Sequence, residues 1–149
     1  MCGDPMAIDR CARPASRDPG QLVDSLQAER ASAPATLPDV QARAVISVAL
    51  GMAEDLGVPC AVVLLDPDGG LQVAERAGSL PGRRMTSAID GGRAALAGHD
   101  ASAVHPETAG IVLRDDAGLR GALGVSGGPD GFALEACRHA ARAFGLTRH

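Results

Sequence analysis

The chain contains no lysine, tryptophan or tyrosine, and its only aromatic side chains are Phe132 and Phe144. Each absence removes a class of function. Without lysine there is no Schiff-base chemistry, and all 14 basic residues are arginine. Without aromatic platforms, nucleobases and sugar rings have nothing to stack on, and a formal charge of -4 disfavours nucleic acid and anionic membranes as partners. The four cysteines, Cys2, Cys11, Cys60 and Cys137, form no C-x-x-C pair and match neither a zinc site nor a dense disulfide framework. Cys60 and Cys137 read as ordinary buried thiols. No apolar run is long enough to span a bilayer, and the N-terminus has no apolar region of the length a signal peptide needs. The expectation is a cytoplasmic protein.

What is present suffices for one domain, with 149 residues of which 46% are hydrophobic. Residues 1–35 mix Pro, Asp, Arg, Ser and Ala, and their five acidic and four basic residues nearly cancel. They read as a disordered N-terminal arm with one short helical piece at 21–27. The domain itself is expected over 36–149.

Thr36 is placed to cap a first helix, with Pro38 and Asp39 in its first turn. Val45, Val48, Ala49, Met52 and Leu56 recur at helical spacing, and Gly57 before Val58-Pro59 ends it. The continuous apolar run Cys60–Leu65 predicts a strand buried on both faces. Asp66-Pro67-Asp68-Gly69-Gly70 is a turn, and the alternation of 71–76 predicts the second strand of a hairpin. Met85, Ile89, Gly92 and Leu96 then predict a helix, although Gly91-Gly92 weakens it by roughly 1 kcal/mol per glycine. Something must pack close to that backbone, either another element or a ligand.

Residues 98–108 read as a surface loop carrying His99 and His105. Ile111–Arg114 and Leu119–Val125, joined by Asp115-Asp116-Ala117-Gly118, predict a second hairpin. Leu119, Gly121, Leu123 and Val125 share one side of the last strand, and Arg120, Ala122 and Gly124 the other. Its glycines mark a bulge or a close approach by a ligand or another backbone. A glycine-rich turn at 126–128 follows, where Ser126 or Asp130 can cap a helix from about Asp130 to Phe144, closed by Gly145. Free N–H groups there would suit a carboxylate or phosphate. Helix, hairpin, helix, hairpin, helix is an α+β order: an antiparallel sheet of about four to five strands, flanked by helices on one face or on both.

Three segments carry a family resemblance. They are 57–66 with Gly69-Gly70-Leu71 and Arg76, the helix from Ser87 to Ala97, and Leu123-Gly124-Val125-Ser126-Gly127-Gly128. Over about residues 39–145 the chain resembles the GlcG/HbpS-like family of haem-degrading domains, which also forms the C-terminal part of PduO-type proteins. The resemblance implies a profilin-like sandwich that binds haem or another small planar ligand, in a homo-oligomer. In the middle helix Arg93 stands where the family carries lysine, and Leu96 where it carries threonine.

For haem iron the available ligands are His99, His105, His139, His149, Met85 and the cysteines. His105, in the loop before the second hairpin, is preferred, and an exposed i,i+4 pair with Glu135 explains His139 better than ligation does. Arg76, Arg83, Arg84 and Arg93 could pair with ligand carboxylates. The expected cofactor-binding set is therefore Arg76, Arg93, His105, Ser126 and Gly127, with His105 on the metal. Two other readings stay open. One is a small acid/base enzyme using Arg93, His105 and Glu107 on an unidentified metabolite, and the other is a structural or interaction subunit without catalysis. Ser126 is set aside as a nucleophile because neither a G-x-S-x-G elbow nor a base in a plausible triad order is recognised around it.

Overall fold

The computed structural model describes residues 36–99 and 106–147. The expectations for the arm over 1–35, for Cys2 and Cys11, and for His105 and His149 lie outside the described residues. Helix α1 spans Asp39–Leu56, strands β1 and β2 span Cys60–Leu65 and Leu71–Ala77, and helix α2 spans Gly82–Leu96. Strands β3 (Thr108–Asp115) and β4 (Gly118–Gly127) precede helix α3, Phe132–Ala143. Among the described residues no helix is long and apolar enough to cross a membrane.

The strands form one antiparallel sheet in the order β2-β1-β4-β3, so both hairpins form as expected and their inner strands pair with each other. The sheet lies in the middle of an α+β sandwich. On one face Cys60, Val62, Leu64, Val73, Leu113, Leu123 and Val125 make the main core with α1 and α3. On the other, Ala61, Val63 and Leu65 meet Ala88 of α2, with Met85, Ile89 and Leu96 packed around them. Every residue of β1 is buried, which is why its run is apolar without alternation.

Glycine lets α2 approach this closely. A Cβ on Gly124 would strike the Ala88 carbonyl, and one on Gly110 would strike the Gly91 carbonyl. A Cβ on Gly91 would stand 2.9 Å from the Ala109 oxygen. What packs against Gly91-Gly92 is thus the sheet. Arg120 faces a register shift between β3 and β4, and a Cβ on the following Gly121 would meet the Leu65 carbonyl. The glycines of β4 mark both a bulge and close backbone approaches.

All three helices end in the same device. Gly57, Gly98 and Gly145 have φ of 65°, 82° and 65°, and the next residue's N–H reaches back to Ala53, Ala94 and Ala141 respectively. These are Schellman motifs, and glycine adopts the left-handed conformation without a Cβ penalty.

The helix starts differ from expectation. α1 begins at Asp39 after Pro38, with no side-chain cap from Thr36. α3 begins at Phe132 after Gly131, and neither Ser126 nor Asp130 caps it. Strand pairing wins over capping, because β4 continues through Ser126 and Gly127 to match Ala61 and Cys60 of β1. β3 likewise starts earlier than expected, at Thr108.

Candidate functional site

The β3 edge of the sheet, with no further strand beside it among the described residues, is the place where chemistry and access coincide. Glu107 O accepts a hydrogen bond from Gly127 N at 2.8 Å, while Arg114 N donates outward to Leu146 O at 2.9 Å. In an antiparallel ladder successive residues point their backbone groups alternately toward and away from the partner. Gly110 and Val112 therefore turn their N–H and C=O away from β4, and no strand among the described residues pairs with them there.

A cleft of about 570 Å³ lies against this edge, within the usual size range of small-molecule sites. Its walls are Ala95 and His99 at the end of α2, Gly110, Ile111 and Val112 of β3, Arg138 and Arg142 of α3, and Thr147. Local sequence sets these positions. The Gly98 turn folds the chain back so that His99 N bonds Ala94 O at 2.8 Å, which sets the backbone of His99 at the rim. Arg138 and Arg142 lie four residues apart on the exposed side of α3, whose other side is buried through Ala133, Cys137 and Ala140. The Gly145 turn carries buried Leu146 to Arg114, and Thr147 makes a parallel bridge to the same residue. The result is an apolar floor flanked by two guanidinium groups and an imidazole.

The expected site residues do not gather at one point. Arg93 donates from Nε to the Gly69 carbonyl at 3.2 Å, in a separate recess of about 300 Å³ with Pro67, Asp68, Leu96 and Ala97. Arg76 is exposed at the far end of β2 from Gly69, paired with Ala61, whose other neighbour is Ser126. Ser126 is fully buried, and its hydroxyl shares a 2.9 Å hydrogen bond with Thr108. Gly127 is buried too, and its N–H is spent on Glu107 O.

Gly124-Val125-Ser126-Gly127-Gly128 does carry the G-x-S-x-G spacing of a nucleophile elbow. Here, however, Ser126 lies within a strand under α2, paired and buried. Glu107 forms an ion pair with Arg84 at 2.8 Å, in the first turn of α2. Arg93 is nine residues further along that helix, roughly 14 Å at 1.5 Å per residue, so an acid/base pair of Glu107 and Arg93 does not form.

Sequence reading passed over Arg138, Arg142 and Thr147. Two arginines at i,i+4 on the polar side of the last helix were the available signal, but their nearness to Ile111 and Val112 is not. Elsewhere, burial pushes the Cys60 thiol up to about 11 and the Cys137 thiol further, the latter also through its proximity to Cys60. Both are protonated core groups rather than nucleophiles or ligands. Among the described residues no three His, Cys, Asp or Glu side chains cluster to hold a metal ion.

No family model matches the chain, and no curated protein matches it in sequence. Solved structures do. The PduOC haem complex superposes with a TM-score of 0.64 at 21% identity, over 76% of this chain and 99% of that one. Protein ORFY of Klebsiella pneumoniae gives 0.62 at 14% identity, over 76% and 94%. A double mutant of HbpS from Streptomyces reticuli gives 0.61 at 17% identity, over 90% and 98%. What is shared at this identity is the fold, and it is the fold that the GlcG/HbpS-like resemblance implied.

Proposed function

We propose that the domain binds haem, or a comparable planar ligand bearing carboxylates, in the cleft along β3. The observation that carries this reading is the donor set, in which an apolar floor stands beside Arg138, Arg142 and His99. Ala95, Ile111 and Val112 would lie against a tetrapyrrole face. Arg138 and Arg142 would take its propionates through charge-assisted hydrogen bonds, and His99 would offer a ring nitrogen to the iron. Haem bound there would supply a redox-active iron. The chain's own residues orient the ring and exclude water from one of its faces. A haem complex of the same fold supports the reading. The proposal includes a cytoplasmic homo-oligomer, whose size light scattering would read.

The test is an absorbance titration with haemin of the wild type, His99→Ala, the Arg138→Ala/Arg142→Ala double variant, His105→Ala and Arg93→Ala. Binding in the cleft gives a saturable one-to-one Soret shift, a displaced band for His99→Ala, and affinity at least about tenfold weaker for the double arginine variant. A featureless titration overturns the haem reading. Loss of binding only in His105→Ala or Arg93→Ala moves the site to the residues the family resemblance singled out and overturns the cleft.

A further inference from the structure

The β3 edge is an unfinished sheet, and the chain has already begun to extend it. Leu146 and Thr147 add a short parallel segment at Arg114. That segment pairs at Arg114, and among the described residues no strand pairs with Gly110 and Val112 on that side. Natural edge strands are usually blunted by charge or proline. The other edge, β2, carries Glu75 and Arg76, whereas Thr108–Leu113 holds neither a charge nor a proline.

The flanking charges say what would complete it. Arg138 and Arg142 stand about 6 Å apart along the helix axis, and residues on one face of a strand repeat at roughly 6.6 Å. Among the described residues neither arginine has a carboxylate partner, while Arg84 and Arg120 do. We infer that the Gly110–Val112 edge takes an extended acidic peptide of another protein by strand addition, with carboxylates at positions i and i+2 meeting Arg138 and Arg142. A second copy of this chain does not supply such a strand. The only carboxylates two residues apart in the sequence, Asp66 and Asp68, sit in the β1–β2 turn, where Asp66 Oδ1 accepts from Asp68 N and Gly70 N at 2.9 Å each. Main-chain hydrogen bonds would give affinity and alternate side chains specificity.

This inference does not rest on the haem reading, although the two occupants share the cleft and would compete. The test is fluorescence anisotropy of the unmodified protein with dye-labelled Val-Asp-Val-Glu-Val. Two control peptides accompany it, one with Asn and Gln in place of the acids, and one N-methylated on the residues that would face β3. Saturable binding is expected, at least about fivefold weaker for either control and weakened by salt. In Arg138→Glu/Arg142→Glu the preference for the acidic peptide over its neutral control should vanish. Equal binding of the N-methylated peptide overturns strand addition, equal binding of the neutral peptide overturns the acidic specificity, and absence of saturation overturns both. Haemin bound without any peptide binding would leave the proposed function standing and sink this one alone.

Discussion

Between pH 9 and 11 almost nothing in this chain can titrate except cysteine. There is no lysine and no tyrosine, and arginine ionises well above that window. Cys60 is fully buried in β1, and its thiol is raised from an ordinary 9.0 to about 11 because the thiolate would lose its hydration. The native state therefore keeps a proton that the unfolded chain gives up above pH 9. The unfolded state then holds fewer protons than the native one, so stability is complete below pH 9 and falls as the pH climbs to about 11. Two pH units at 1.36 kcal/mol each make the loss about 2.7 kcal/mol from Cys60. Cys137, raised further by burial and by Cys60, acts in the same direction. Against a typical domain stability of roughly 5–15 kcal/mol this is a large fraction. The assay is urea unfolding followed by circular dichroism across the window, with Cys2 and Cys11 replaced by serine so that only the two core thiols titrate. The midpoint should fall steadily with pH, more gently in Cys60→Ala, and hardly at all when Cys137→Ala is added. Stability that stays level through the window, or that falls equally after both replacements, would refute the reasoning.

The α2–sheet contact makes a second prediction. Gly110→Ala and Gly124→Ala each drive a Cβ into a carbonyl of α2 and should cost about 2–4 kcal/mol in thermal unfolding. Gly51→Ala, helical and with nothing within 4 Å of its Cβ, should instead stabilise by about 0.5–1 kcal/mol. Thr108→Val or Ser126→Ala alone strands a buried hydroxyl, at about 1–3 kcal/mol, and combining them should recover much of the loss in a double-mutant cycle. Gly57→Ala forces a side chain into φ of 65° and should cost about 1 kcal/mol without changing haemin binding.

Much of the fold is legible locally. The two-sided burial of β1, the two hairpins and the ends of α1 and α3 at Gly57 and Gly145 follow from periodicity and turn chemistry, which act over a few residues. The helix starts were less legible. A serine before a helix looks like a cap until β1 claims Ser126 as a strand partner through Ala61. The candidate site was hardly legible at all, because its walls come from four separate stretches and strand order alone leaves its backbone groups without a strand partner among the described residues.

Local sequence was thus enough to set which segments become helices and strands and where α1 and α3 stop. Tertiary structure decided the rest. Pairing β1 with β4 put β3 at an edge and left Gly110 and Val112 facing outward. The same choice drew Ser126 beneath α2 and set Arg76 and Arg93 at opposite ends of the sheet. It also resolved the Gly91-Gly92 ambiguity, since helix and sheet meet through glycine. No local rule carries this information. Pairing between strands distant in sequence is settled by which arrangement buries both faces of β1 at once, and only that arrangement brings Arg138 and Arg142 beside Ile111.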